Sequence, residues 1–150
     1  MSNIYLAAPV FGADETKKEH VQAVYAVLNG GGHCVYRPDW LRIPNAWNMP
    51  LEEWARCVFT HDLIALDSAD TVVVLDYGRH GTCGTAWETG YAFAKDKNIV
   101  NVLMPGVTEQ SLMMRCGCTK CVMYESFVQT GNIRPLDYKQ AMRNEPLWLT

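Results

Sequence analysis

The stretch that most constrains the fold runs from residue 71 to residue 94, TVVVLDYGRHGTCGTAWETGYAFA. It begins with an apolar, β-branched run at residues 72–75, which is typical of a buried strand. A glycine-containing loop follows, and then a helical pattern that carries one acidic residue, Glu88, near its start. Open α/β proteins bind ligands where the carboxyl ends of parallel strands meet the amino ends of helices. The stretch therefore predicts an α/β fold and makes Glu88 the first candidate for chemistry.

The same residues also fit a purely structural interpretation. Thr85 and Glu88 have the spacing of a capping box, in which a threonine at the N-cap and a glutamate three residues later bond reciprocally to backbone N–H groups. The spacing alone favours the cap, but it does not exclude a catalytic role for Glu88.

The rest of the chain alternates between strand and helix patterns. Strands are predicted at residues 4–10, 33–36, 71–75, 99–104 and 121–124, and helices at 15–28, 51–66, 108–114 and 136–143 besides the one that carries Glu88. Residues 37–50 contain three prolines and two tryptophans and predict a functional loop, and Asp70 is expected in a turn. Right-handed crossovers then predict a single doubly wound α/β domain over residues 1–150, with a five-stranded parallel sheet in flavodoxin-like order and the first strand at its centre.

Composition excludes several classes of partner. The 150 residues carry a net charge of −3 without a lysine or arginine cluster, which argues against binding nucleic acid through its phosphates. No apolar run reaches the roughly 18 residues of a membrane span, and the first residues do not have the pattern of a signal peptide. We therefore expect a cytoplasmic protein with neither membrane nor nucleic acid as a partner.

Six cysteines are expected to be thiols in that reducing compartment. Cys116, Cys118 and Cys121 form a C-x-C-x-x-C cluster, which suits a soft metal if His61, His80 or a neighbouring subunit supplies a fourth ligand. The spacing is not that of a paired C-x-x-C knuckle. A cluster of thiols is the favoured interpretation, so neither a metal nor another cofactor is predicted.

Asp62 stands out on the helix predicted at residues 51–66. It lies on the apolar face of that helix, four residues after Val58, where an ionised carboxylate destabilises the fold unless it has partners. A functional role and a hydrogen bond to loop backbone are equally compatible with this position.

Four segments together resemble the nucleoside 2-deoxyribosyltransferase family. They are IYLAAP at residues 4–9, WARCVFTHDL at 54–63, ADTVVV at 69–74 and GTAWETGYA at 84–92, of which the last is the most specific. The resemblance covers residue 3 to about residue 114. It implies an enzyme that transfers 2-deoxyribosyl groups between the bases of 2′-deoxynucleosides, with a 2′-deoxynucleoside and a free nucleobase as partners. It also implies a homo-oligomer whose active sites lie at subunit interfaces.

The resemblance assigns roles to five residues. Glu88 corresponds to the family's nucleophile, Tyr5 is expected to orient it by a hydrogen bond, and Asp62 belongs to the group that handles the nucleobase. Phe11 matches an aromatic residue that lines the pocket, and Met113 matches a methionine offered to an adjacent subunit. These roles suit the chemistry, because a carboxylate beneath C1′ stabilises an oxocarbenium-like transition state and can then form an ester. A buried Asp62 with a raised pKa is suited to exchange a proton with the base.

Further residues are expected at the substrate. Asp39, Trp40 and Gly84 are assigned to substrate binding, and Trp47 and Tyr77 are alternatives to Trp40 for stacking on the base.

Two substitutions depart from the family pattern. Thr82 stands where typical members have an aspartate, and Ser111 stands where they have an asparagine. Both residues are still assigned to substrate binding, because a hydroxyl donates and accepts hydrogen bonds. We expect altered base or sugar preference rather than inactivity. A carboxy-terminal aromatic residue that completes some members' sites has no match here.

Two other functions remain as alternatives. An N-glycosidase would hydrolyse 2′-deoxynucleosides or their 5′-monophosphates, with Ser111 and Arg115, or Arg79 and His80, reading the phosphate. A non-catalytic nucleotide-binding module would keep the fold without the reaction.

Overall fold

In the computed structural model, which describes residues 1–9 and 12–136, five strands form one parallel sheet. The strands are β1 (Asn3–Ala7), β2 (Cys34–Tyr36), β3 (Thr71–Asp76), β4 (Asn98–Leu103) and β5 (Lys120–Met123). The helices are α1 (Glu15–Gly30), α2 (Leu51–Ser68), α3 (Cys83–Ala94), α4 (Leu112–Gly117) and α5 (Tyr124–Thr130). None of these described helices is long and apolar enough to cross a membrane. The strand order β2-β1-β3-β4-β5 confirms the predicted flavodoxin-like α/β fold.

Each face of the sheet has its own apolar core, because successive side chains of a strand point to opposite faces. Val73 and Leu75 of β3 contribute to the core beneath α1 and α5. Val72 and Val74 contribute to the other core, together with Tyr5 of β1 and with residues of α2 and α3. The second face therefore brings Tyr5 beneath the two helices that carry Asp62 and Glu88.

Three elements differ from the sequence-based expectation. Strand β1 pairs with both β2 and β3 and is therefore second in the sheet, while β3, buried at all six positions, is central. Helix α4 begins at Leu112 and not at residue 108. Helix α5 was not predicted, and the helix predicted at residues 136–143 lies outside the described residues except for Leu136, which is not helical.

The turn role expected for Asp70 is confirmed. Its carboxylate accepts hydrogen bonds from the backbone N–H of Asn3 at 2.9 Å and from the hydroxyl of Thr71 at 2.9 Å. These bonds connect the first residues of β1 and β3 at the turn between α2 and β3.

Helix α3 begins earlier than the capping-box interpretation requires. Its N-cap is Thr82, whose side-chain oxygen accepts a hydrogen bond from the N–H of Thr85 at 3.2 Å. Glu88 lies six residues after this cap, in the second turn, and cannot close a capping box with it. The capping-box interpretation of Thr85 and Glu88 is therefore wrong, and the Glu88 side chain is available for other contacts.

Candidate functional site: a carboxylate pair in a cleft

A cleft of about 390 Å³ lies between α2 and α3. This volume falls within the range of pockets that hold small ligands. Its lining is mainly apolar and aromatic with two carboxylates, and consists of Phe59, Asp62, Leu63, Leu66, Cys83, Gly84, Trp87 and Glu88. The structure thus brings Asp62, Gly84 and Glu88 of the predicted site together around one cavity.

Tyr5 connects the cleft to the sheet. This residue is fully buried in β1, and its phenol donates a hydrogen bond to Oε1 of Glu88 at 3.0 Å. Because Tyr5 is held by the sheet and Glu88 by a helix, the bond fixes the carboxylate between two rigid elements.

Burial alters the acidity of Glu88. Desolvation in the cleft, together with the negative charge of Asp62, raises the pKa of Glu88 from 4.5 to about 7, although the hydrogen bond from Tyr5 opposes this shift. The carboxyl group therefore changes its charge near neutral pH. A titration in this range is typical of residues that exchange protons or become nucleophiles.

This shift predicts how stability depends on pH in Glu88→Gln. Below about pH 4.5 the carboxyl is protonated in both folded and unfolded protein, whereas between about 4.5 and 7 the unfolded chain releases its proton first. The wild-type free energy of unfolding should therefore fall relative to the variant as pH rises through that interval, by at most about 3 kcal/mol. Urea unfolding at pH 4.5 and pH 8 measures the change, with Glu53→Gln on the exposed side of α2 as the baseline. A difference that is constant with pH would contradict the burial of a titrating Glu88.

Asp62 has a phenol partner of its own. The hydroxyl of Tyr36, at the end of β2, donates a hydrogen bond to its Oδ1 at 2.8 Å. Burial raises the pKa of Asp62, while the bond from Tyr36 and the nearby charge of His61 work in the opposite direction. The loop-backbone bond considered for Asp62 is replaced by this side-chain contact.

Sequence reasoning missed Tyr36. It lies directly opposite Tyr5 in the pairing of β1 with β2, and the two rings stack with centroids 5.4 Å apart and planes inclined by 25°. Two tyrosines on neighbouring strands of a parallel sheet were the available signal, but only the pairing register shows that they meet.

Asp39 and Trp40 lie in the loop between β2 and α2 and are held by Arg37. The buried guanidinium of Arg37 forms two hydrogen bonds to the Asp39 carboxylate, at 3.1 and 2.7 Å, and lies 4.2 Å from the centre of the Trp40 ring. Asp39 borders a second cavity of about 670 Å³ beneath the loop, as does the fully exposed Trp47. Asp39, Trp40 and Trp47 are not among the described residues that line the cleft of Glu88.

The remaining predicted residues are placed as follows. Thr82 caps α3 and also contacts the hydroxyl of Thr85 at 2.9 Å. Ser111 precedes α4, and Met113 on that helix is 80% exposed. Phe11 lies outside the described residues. Arg79, one of the candidates for reading a phosphate, forms an ion pair with Glu109.

The cysteine cluster forms no metal site within residues 1–9 and 12–136, where no three histidine, cysteine or acidic side chains are arranged to hold an ion. It does contain an unusual thiol. Hydrogen bonds from Cys118 and Gln110 and the charge of Arg115 lower the pKa of Cys121 to about 6, against the effect of burial. The Gln110 amide nitrogen lies 3.7 Å from the Cys121 sulfur.

Cys121 should accordingly be a thiolate at neutral pH. Alkylation by iodoacetamide, followed by peptide mass spectrometry, should rise with pH around a midpoint near 6. Cys118→Ala removes the strongest stabilising bond and should move the midpoint to higher pH. A wild-type midpoint near 9 would contradict the assigned environment.

Fold and site together define a class of protein. It is a flavodoxin-like α/β domain with two carboxylates in a ligand-sized cleft, each hydrogen-bonded by a tyrosine from the sheet. Residues 4–124 match the model of the nucleoside 2-deoxyribosyltransferase family, and the chain belongs to that family. Among curated proteins, none gives a significant match.

Solved structures give a consistent picture. A 2-deoxyribosyltransferase from the psychrotolerant bacterium Bacillus psychrosaccharolyticus is 26% identical, with a TM-score of 0.70 over 91% of this chain and 93% of the other. A CMP N-glycosidase from Clostridium botulinum is 19% identical, with a TM-score of 0.58 over 84% and 95% of the two chains. A conserved protein from Enterococcus faecalis V583 is 17% identical, with a TM-score of 0.65 over 86% and 96%. The last two similarities concern the fold alone.

Proposed function

We propose that the protein is a cytoplasmic, homo-oligomeric enzyme that transfers the 2-deoxyribosyl group between nucleobases of 2′-deoxynucleosides through a covalent bond to Glu88. Membership of the family and the likeness to a 2-deoxyribosyltransferase support the class of reaction. The observation that carries the proposal is the pair of carboxylates, Glu88 and Asp62, that faces a single cleft.

In the first half-reaction, the Glu88 carboxylate attacks C1′ of the bound deoxynucleoside. The bond between C1′ and the base nitrogen breaks, its electron pair leaves with the base, and Asp62 donates a proton to the departing base. The product is a deoxyribosyl ester of Glu88. Tyr5 holds the attacking carboxylate in place through its hydrogen bond to Oε1.

In the second half-reaction, a nitrogen of the incoming base attacks C1′ of the ester. The bond from C1′ to Glu88 breaks, the carboxylate is restored, and Asp62 accepts the proton that the incoming base loses. The reaction needs an ionised Glu88 and a protonated Asp62 at its start. Burial raises the pKa of Asp62, which favours its protonated form relative to an exposed aspartate, and Glu88, with a pKa of about 7, is ionised in a substantial fraction of molecules at neutral pH.

Hydrolysis is the second candidate. The side chain of Thr82, which replaces the family's aspartate, is used to cap α3, so Asp62 and Glu88 are the carboxylates that line the described cleft. Because such a site has fewer polar groups to bind an incoming base, water is favoured as the acceptor of the deoxyribosyl group. The ester on Glu88 would then be cleaved to free deoxyribose.

The deciding experiment incubates the protein with 2′-deoxyinosine in the presence and absence of adenine or cytosine. A new deoxynucleoside that forms only with added base supports transfer, whereas hypoxanthine and deoxyribose formed without an acceptor support hydrolysis. Repeating the reaction with the 5′-monophosphate tests the nucleotide as substrate. If neither 2′-deoxyinosine nor the 5′-monophosphate is consumed, with or without an added base, the proposal fails and a binding role is favoured.

The proposal of a homo-oligomer draws on exposed apolar side chains, two of which, Phe59 and Trp87, line the cleft. They lie on α2, α3 and α4 and include Phe59, Ile64, Trp87, Phe93, Leu112 and Met113. Apolar surface of this kind marks sites of association. Light scattering of the purified protein gives the mass, and a monomer at micromolar concentration would reject this part of the proposal.

A further inference from the structure

Tyr36 connects the two carboxylates of the cleft. Its phenol donates to Asp62 at 2.8 Å, and its ring stacks on that of Tyr5, which donates to Glu88 at 3.0 Å. The resulting chain of contacts, from Asp62 through two stacked tyrosines to Glu88, crosses β2 and β1 where these strands pair.

We propose that Tyr36 is a positioning residue that holds the Asp62 carboxyl group in the orientation needed for proton exchange with the base. The inference rests on the proposed function, because proton exchange by Asp62 is part of that reaction. Tyr36 acts through Asp62, and its role does not require contact with the substrate.

The geometry explains how the phenol acts. A hydroxyl that donates to one carboxylate oxygen stabilises the ionised form and fixes the plane of the group, which leaves the other oxygen to meet the base. The stacked ring of Tyr5 restricts Tyr36 in turn, because Tyr5 is fully buried in the sheet. The orientation of Asp62 is thereby set by the sheet as well as by its own helix.

Removing the phenol should shift the two carboxylates in opposite directions. The titratable groups that face Asp62 come from every element around it and are Tyr36 on β2, Tyr5 on β1, Glu88 and Cys83 on α3 and His61 on α2. Without the bond from Tyr36, the pKa of Asp62 rises further. Asp62 is then neutral over a wider range of pH, and the pKa of Glu88 falls because the repelling charge is removed.

The test is Tyr36→Phe, which keeps the ring and its stacking. Carboxyl ¹³C NMR titrations, assigned with Asp62→Asn and Glu88→Gln, should show the Asp62 midpoint moving up and the Glu88 midpoint moving down. The pH profile of kcat/KM should broaden correspondingly, and its maximum should fall about tenfold through loss of orientation. If Tyr36 affected only stability, Tyr36→Phe would lower kcat/KM at every pH and leave the two apparent pKa values of the profile unchanged.

Tyr91→Phe is the matched control. Tyr91 on α3 also donates to a carboxylate on α2, Oδ1 of Asp67 at 2.6 Å, but neither residue is among the described lining of the cleft. This variant should leave the titrations of Asp62 and Glu88 unchanged. In an Asp62→Asn background, Tyr36→Phe should have almost no further effect on kcat/KM, because the two residues act as one unit.

An unchanged Asp62 midpoint in Tyr36→Phe, or a full effect of that change in the Asp62→Asn background, would overturn the inference. If Tyr36→Phe does not fold, Asp62→Asn tests the same bond from the other side. The Tyr36 Cζ resonance should then move and that of Tyr91 should not, and a stationary Tyr36 resonance would reject the contact. The NMR measurements need no turnover, so failure of the proposed function would appear separately, as inactive wild-type protein with normal titrations.

Discussion

Replacing Glu88 with glutamine is expected to lower kcat for base exchange by about 10⁴-fold or more, because the variant has no carboxylate to form a bond with C1′. Glutamine keeps the size of the side chain and can still accept the hydrogen bond from Tyr5. Substrate affinity should therefore remain within a few-fold of wild type. Steady-state kinetics and equilibrium binding of a deoxynucleoside measure the two quantities.

The same residue should carry the sugar. Wild-type protein quenched in acid during turnover should contain a peptide that includes Glu88 and is heavier by one deoxyribosyl group, and this adduct should be absent in Glu88→Gln. Glu109→Gln serves as a control, because that carboxylate pairs with Arg79 outside the described lining of the cleft. Turnover by Glu88→Gln at a rate near that of wild type would refute the assigned nucleophile.

Most of the fold could be predicted from local pattern. The apolar run of β3 and the amphipathic pattern of α1 identify their elements because each depends on burial of its own side chains. The parallel order then follows from right-handed crossovers. The position of β1 could not be read in this way, because the partners of a strand depend on contacts between distant segments.

The elements that were missed have physical reasons. Residues 107–111 remain a loop because tertiary contacts hold them there. The carbonyl of Glu109 approaches Gly78 so closely that a Cβ at that glycine would lie 2.2 Å from the oxygen, and the side chain of Gln110 donates to Asp76. Helix α5 follows β5 without an intervening turn, so its apolar residues look like a continuation of the strand. Gly131, with φ of +57° at the helix end, was the remaining signal.

The site was less accessible from sequence than the fold. The resemblance indicated Glu88 and Tyr5, but spacing alone favoured a cap for Glu88, and only the location of the N-cap at Thr82 removes that interpretation. Thr82 was expected at the substrate, and this stays a prediction, but its oxygen also accepts a hydrogen bond from the helix it begins, a role that the sequence pattern did not indicate. Such assignments depend on where a helix starts to within one turn, which patterns of apolar residues do not determine.

Asp62→Asn is expected to lower kcat/KM for 2′-deoxyinosine by about 10²–10³-fold, since an amide can neither donate a proton to the departing base nor accept one from the incoming base. The loss should depend on the leaving group. In 7-methyl-2′-deoxyguanosine the base already carries a positive charge and departs neutral without protonation, so cleavage of this substrate should fall by less than about tenfold. Asp67→Asn on the same helix is the control.

The comparison of the two substrates separates proton transfer from positioning. If Asp62 only orients the base, its replacement should lower kcat/KM for both substrates by the same factor. Such an equal loss would contradict its role as an acid. If it transfers a proton, the charged substrate is spared. In the same variant, removal of the Asp62 charge should lower the pKa of Glu88, so the acid limb of cleavage should move to lower pH. Asp62→Asn should therefore have two effects at once: the pKa of Glu88 falls, and protonation of the departing base is lost. Both effects together are expected only if the two carboxylates share one cleft and have separate roles in the reaction.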